Sequence, residues 1–265
     1  MPNLIKKPKT DMELELLSKS FRKDIFIFKT NSGFGHLASS LSCVEILVSL
    51  FFDLDSNFDL EHDRVIFGKG HGSPAIYPIL AELGYFSRDE LKNYCKPNGI
   101  LRMHADYSIP GCNFVGGSLG NGIGFAAGLA VSRPWQKFVV ILGDAELYEG
   151  SVWESLMFIA HHELKNLTLI VDRNKFGILG NTENGLKLEP LVGKFESFGF
   201  ETYRIDGHNF SELRKCFRIE SKNPKMIIAD TIKGKGISYM EDKFEYHTII
   251  PSSKEDIELG IKELS

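Results

Sequence analysis

Two short apolar runs, each breaking into acidic or amide residues, constrain this chain more than any other feature. Val139 to Leu142 is continuous and rich in β-branched residues, and it ends in Gly143 and Asp144. Leu167 to Val171 is a second such run, ending in Asp172 and Asn174. Between them Trp153, Leu156, Ala160 and Leu164 recur at the spacing of one helical face. The pattern predicts a β-α-β unit, with parallel strands whose carboxyl ends carry the ligand-binding residues. Neighbouring strand ends bring the Asp144 carboxylate and the Asn174 amide oxygen together. One carboxylate and one amide oxygen, with positions to spare, suit a magnesium ion that also takes oxygens from a bound phosphate.

With 265 residues, 43% apolar and 25% charged, the chain can bury a large core. The expected fold is α/β: one domain over residues 1–265, a mostly parallel sheet with helices on both faces, with termini fraying at about 1–12 and 252–265. A net charge of −4 gives no general attraction to nucleic acid. Lys6, Lys7 and Lys9 form a small basic cluster with no apolar stretch behind it, so it reads as a solvated tail rather than a signal peptide. Glu45 interrupts Cys43 to Phe52, the nearest approach to the roughly 18 apolar residues of a membrane helix, and no membrane partner is expected. Cys43, Cys95, Cys112 and Cys216 are scattered and lack CxxC spacing, which indicates neither a zinc site nor a disulfide framework. A reducing cytoplasm is the default.

Along the chain, Leu14, Leu17, Phe21, Ile25 and Phe28 predict an amphipathic helix closed near Asn31-Ser32-Gly33. A loop of small residues containing His36 follows, then a helix from Val44 to Phe51. Arg64 to Phe67 reads as a strand running into Gly68-Lys69-Gly70-His71-Gly72-Ser73-Pro74 and another helix. Free N–H groups at such a junction can hold an anion, although no GxxxxGK[ST] loop is present. Leu101-Arg102-Met103-His104 opens an irregular stretch. Gly116-Gly117-Ser118-Leu119-Gly120-Asn121-Gly122 leads into an Ala/Gly-rich helix, which tight helix-sheet packing alone would also explain. Leu191 to Phe198 and Phe210 to Phe217 read as helices, Glu201 to Ile205 and Met226 to Ala229 as strands. Asp206-Gly207-His208 reads as a turn without chemistry, and Lys233 and Lys235 as solvated residues of a glycine turn. His161 and His162 are adjacent on a helix and point apart, so they cannot form a two-histidine metal site.

The central block resembles the thiamine-diphosphate fingerprint, a Gly-Asp-Gly followed a helix and a strand later by Asn. Glu146-Leu147, Glu149-Gly150, Trp153-Glu154, His161-His162 and Leu164 to Leu167 resemble the transketolase branch in particular. The His36 loop is similar to that family's Ser-Gly-His-x-Gly, with Ala38 at the second glycine. The His71 loop is similar to Ser-Lys-Gly-His-Ala, with Gly68 and Gly72 at its ends. Gly117, Ser118 and Leu119 fall in the family's second diphosphate loop, His104 at another active-site histidine, Thr231 to Gly236 in its Thr-x-Lys-Gly-Lys-Gly turn, and His247 just beyond.

The resemblance implies thiamine diphosphate and Mg²⁺ as cofactors. Asp144, Asn174 and the backbone oxygen of Phe176 would hold the metal, while His71, Gly117, Ser118, Leu119, Gly143, Ala145, Glu149 and His247 would meet the cofactor. His36, His104 and His247 would be catalytic, exchanging protons with sugar hydroxyls near neutral pH. Ala145 replaces the fingerprint's second glycine and places a methyl group beside the diphosphate. The resemblance covers only the diphosphate-binding domain, so it implies the N-terminal subunit of a split transketolase. Its partner would be a C-terminal subunit on a separate chain, in a homodimer or heterotetramer acting on sugars or sugar phosphates. Rival readings are another thiamine-diphosphate subunit (2-oxo acid dehydrogenase α-like or deoxyxylulose-phosphate-synthase-like), a non-catalytic assembly subunit, and a magnesium-dependent nucleotide-binding protein.

Overall fold

A computed structural model describes residues 9–53, 56, 58–114 and 116–265. Lys6, Lys7 and residues 1–8 of the segment expected to fray lie outside the described residues. Helix α1 (Asp11–Ser32) begins in a capping box, in which Thr10 and Glu13 satisfy each other's backbone N–H groups. It ends at Gly33, whose N–H bonds the Lys29 carbonyl at 2.9 Å. Short α2 (Leu37–Leu41) and buried α3 (Val44–Phe52) follow. After β1 (Arg64–Phe67) come a tight turn over Gly70–Ile76, α4 (Tyr77–Glu82), and α5 (Asn121–Ser132). The predicted β-α-β unit is β2 (Phe138–Gly143), α6 (Gly150–His161) and β3 (Leu167–Arg173). A small antiparallel pair, β4 (Phe176–Gly177) and β5 (Gly180–Asn181), precedes α7 (Leu191–Ser197). The chain continues through β6 (Glu201–Asp206), α8 (Phe210–Arg218), β7 (Lys225–Asp230) and α9 (Lys254–Glu263).

The main sheet has the order β1-β2-β3-β7-β6, and every pairing in it is parallel. Successive residues of a strand face opposite sides, so a strand covered on both sides reads as a continuous apolar run. Val139 and Ile141 pack into one core with α1, α3 and α4, and Phe138, Val140 and Leu142 into a second core with α5, α6 and α7. Helices on both faces of a parallel sheet are therefore observed as expected. One local expectation is corrected. The α6 stripe facing the sheet is Val152, Leu156 and Ile159, with Trp153 and Ala160 only partly buried, and Leu164 lies beyond the helix end. The charged C-terminal segment, read as helical or frayed, is helical: it forms α9, capped by Ser253, with Gly260 against the Phe26 ring and Leu264 buried.

Candidate active site

The carboxyl ends of β1, β2, β3 and β7 point to the same side of the sheet, and the loops leaving them surround a cavity of about 600 Å³. Twelve of the thirteen residues expected at a site line it: His36, His71, His104, Gly117, Leu119, Gly143, Asp144, Ala145, Glu149, Asn174, Phe176 and His247. Ser118 sits in the same loop, exposed, and does not line the cavity. The backbone explains the closeness of the two glycine loops. A β-carbon at Gly70 would overlap the Gly116 carbonyl, so these segments touch main chain to main chain.

One wall is imidazole. The His36 ring centroid lies 5.1 Å from that of His71 and 5.4 Å from that of His247. The Nδ1 atoms of His36 and His247 are buried and have no hydrogen-bond partner among the described residues. Burial, reinforced by Lys29, pushes His36 down to about 4. Burial, reinforced by Lys233, pushes His247 down to about 3. His71 and His104 are lowered by burial as well, helped by Lys69 and Lys29 respectively. These side chains are neutral at pH 7 and present imidazole nitrogens as proton acceptors, rather than titrating near neutrality as unperturbed histidines do.

The opposite corner holds Asp144, Asn174 and the Phe176 carbonyl. Asp144 is 1% exposed; its Oδ1 accepts from the Ala145 N–H at 2.8 Å and its Oδ2 from Arg173 at 3.0 Å. Burial raises its carboxyl, and Arg173 pulls it back. Asn174 Oδ1 accepts from the Phe176 N–H at 3.3 Å, while the Phe176 carbonyl accepts from Lys233 Nζ at 3.3 Å. The donor set is all oxygen with one carboxylate, which fits magnesium better than zinc. No group of three or more His, Cys, Asp or Glu side chains arranged for a metal occurs among the described residues. Ala145 fits without left-handed backbone, and its methyl group packs where position 177 is glycine: a β-carbon there would lie 2.8 Å away.

Several buried charges in and behind the cavity wall were not anticipated. Lys69 is fully buried, ion-paired with Asp172, and donates to the Ser39 carbonyl at 2.9 Å. Against the cost of burial, Lys69 together with Thr231 and Ser42 holds Asp172 below the usual carboxylate range. Lys233, expected to be solvated, is 1% exposed and donates to Ser39 Oγ at 3.0 Å; burial lowers it to about 8. Lys235 is half-buried, 3.7 Å from Glu241. Glu146 accepts the Gly120 N–H at 2.8 Å and the Gly143 N–H at 3.1 Å, joining two loops, and burial pushes it up to about 7. His208, from the Asp-Gly-His turn, bonds Glu45 through Nδ1 and accepts the Ile232 N–H through Nε2, both at 2.9 Å, and so braces the turn carrying Lys233. A lysine in a glycine-containing turn normally signals solvent. Only the apolar strand end beside it pointed to burial.

Comparison with known proteins gives a consistent result. The family "Transketolase, thiamine diphosphate binding domain" matches residues 26–262. An apulose-4-phosphate transketolase subunit of Actinobacillus succinogenes is 37% identical, over 95% of this chain and 96% of the relative. The 6-deoxy-6-sulfo-D-fructose transketolase subunit SqwG of a Clostridium species is 38% identical over 82% of this chain and 84% of its own length. The crystal structure of Campylobacter jejuni transketolase superposes with a TM-score of 0.88 at 26% identity, covering 97% of this chain and 43% of that one. This chain thus spans less than half of that transketolase chain and nearly all of the Actinobacillus relative. It belongs to the transketolase family, through its thiamine diphosphate binding domain.

Proposed function

We propose that this chain is the N-terminal subunit of a two-subunit transketolase, moving a two-carbon ketol unit from a ketose or ketose phosphate to an aldose. The observation carrying the reading is that the imidazole wall and the oxygen-donor corner face one cavity at the strand ends. Asp144, Asn174 and the Phe176 carbonyl would hold Mg²⁺, and with it the diphosphate, beside His71, Gly117, Ser118, Leu119, Gly143, Ala145 and Glu149. Thiamine diphosphate, when bound, would supply the carbanion chemistry that moving a two-carbon ketol unit requires. His36, His104 and His247, held neutral by burial, accept protons from sugar hydroxyls and orient the sugar. Lys233, lowered to about 8, contributes positive charge beside the Phe176 carbonyl.

The partner in this reading is a C-terminal subunit on a separate chain, because two relatives named as transketolase subunits align along nearly their whole lengths. It would close the cavity in a homodimeric or heterotetrameric assembly. The four cysteines carry free thiols, which supports a cytoplasmic setting, and no described helix is long and apolar enough to cross a membrane. The test is a ketose-phosphate assay of the purified chain with saturating Mg²⁺ and thiamine diphosphate, before and after the candidate partner is added. Activity appearing only with the partner is expected. Full activity from the chain alone, or turnover of pyruvate in place of the ketose, overturns the reading.

A further inference from the structure

Arg173 closes β3 between Asp172 and Asn174 and does not itself line the cavity. It is 1% exposed, and all three of its guanidinium nitrogens are engaged. Nη1 donates to Asp144 Oδ2 at 3.0 Å and to Thr182 Oγ1 at 2.7 Å. Nη2 donates to Glu183 at 2.8 Å and Nε to Glu189 at 3.3 Å. One planar cation therefore joins a strand-end carboxylate to three residues of the strap 182–189. The strap is organised around the same contact: Glu183 Oε1 also accepts the Leu188 N–H at 3.2 Å, and Tyr148 donates to the Thr182 and Leu186 carbonyls at 3.0 and 2.9 Å. Thr182, Gly185 and Leu186 in turn line the cavity.

The arrangement also counts out the lone pairs of Asp144. Oδ2 accepts from both Arg173 and the Lys175 N–H, which uses the two lone pairs a carboxylate oxygen offers. Among the described residues, Oδ1 accepts only from the Ala145 N–H, at 2.8 Å. A cation approaching this carboxylate meets one available oxygen, the monodentate geometry that magnesium's small octahedral shell prefers. Glu183 and Glu189 balance the arginine charge, so Arg173 does not simply repel a divalent ion.

We propose that Arg173 is a positioning residue that turns Asp144 so that Oδ1 alone faces the metal and ties that carboxylate to the strap covering the cofactor cavity. The metal half rests on the assignment of Asp144 as a magnesium ligand; the tie between Asp144 and the strap does not. An arginine fork is required, since an ammonium cannot reach a carboxylate and three strap acceptors in one plane.

The test is amide hydrogen exchange over residues 182–190 in the full-length chain, first without metal and then during Mg²⁺ titration at fixed thiamine diphosphate. Without metal, Arg173→Met and Asp144→Asn are each expected to speed strap exchange about tenfold, the loss of roughly one charge-assisted hydrogen bond. Glu183→Gln, which leaves the metal carboxylate untouched, should loosen the strap to a lesser degree and serves if Arg173→Met does not fold. In the titration Arg173→Met should need about 10- to 100-fold more Mg²⁺ than wild type, and Arg173→Lys should recover only part of that. Wild-type strap exchange in Asp144→Asn and Glu183→Gln overturns the tie. Equal or tighter Mg²⁺ binding by Arg173→Met overturns the orienting role. A wild-type chain that takes no Mg²⁺ while its metal-free strap responds as expected rejects the magnesium assignment and leaves the tie standing.

Discussion

The two walls of the cavity are built in opposite ways. In the oxygen-donor corner, Asp144 accepts three hydrogen bonds, Asn174 uses both ends of its amide, and the Phe176 carbonyl accepts from Lys233. On the imidazole wall, His36 and His247 each bury an Nδ1 without a partner among the described residues. The first region is held in shape by the protein's own bonds. The second carries polar atoms whose desolvation is uncompensated until a ligand supplies a hydrogen bond. In the proposed function, rigidity is thus concentrated where a metal ion and a diphosphate would need fixed geometry, and unsatisfied hydrogen-bonding capacity where a sugar would be held.

The contrast is broken most directly from the imidazole side. His247→Ala should lower ketol-transfer turnover in the assembled enzyme about 10²- to 10⁴-fold while leaving the melting temperature nearly unchanged. A variant with wild-type turnover but a much lower melting temperature would make His247 a packing residue. On the corner side the expected damage is structural. Lys69→Met leaves Asp172 buried and unpaired, and should cost about 3–5 kcal/mol in denaturant unfolding. A loss below about 1 kcal/mol would mean that this ion pair does not hold the strand end.

Between those limits lies the hinge of the imidazole wall. Gly35 has φ +92°, and a β-carbon there would sit 2.8 Å from the Tyr94 hydroxyl and 2.9 Å from Lys29 Nζ. Gly35→Ala should therefore cost about 1–3 kcal/mol by thermal unfolding and displace His36. An unperturbed variant would show that the loop bends without strain.

The smallest effect expected is on acid stability. His36 and His247 have folded pKa values of about 4 and 3, below that of the unfolded chain, so the unfolded state binds more protons as pH falls below about 6.5. Stability contributed by these groups is complete above that pH and declines toward pH 4. Glu146, pushed up to about 7, acts in the opposite direction, its contribution being lost as pH rises through that value. His36→Asn should leave Glu146 in place and flatten the acid slope, by less than the one-proton limit of about 1.4 kcal/mol per pH unit because His36 is partly solvated. An identical slope in wild type and variant would place the His36 pKa near its ordinary value.

How much of this could be read from the chain follows from what each signal encodes. The runs Val139 to Leu142 and Leu167 to Val171 announced fully covered parallel strands, because burial on both faces removes polar alternation. The strand order could not be read, since the excursion from β3 to the edge strand β6 and back to β7 leaves no local mark. His36, His71, His104 and His247 were found because they sit in glycine-rich or resemblance-bearing loops, whose ends the fold gathers. Lys69, Lys233 and Arg173 were missed for one shared reason. Charge in a turn or at a strand end normally indicates solvent, and only three-dimensional proximity to Asp172, Ser39 and Asp144 reverses that inference. The α6 stripe was misphased because Trp153 and Leu164 fit helical spacing about as well as Val152 and Ile159.

The main-chain contact between Gly70 and Gly116 bears on how the protein tolerates change. Two backbone segments from distant parts of the chain occupy space in which even one methyl group would collide with the opposite carbonyl. A saturation library should therefore return only glycine at both positions, and a substitution at one should not be rescued by any change at the other, since neither residue has a side chain left to trim. Elsewhere a lost contact can be traded for a new one. Here there is nothing to trade, so this seam is a fixed point around which the surrounding loops must vary.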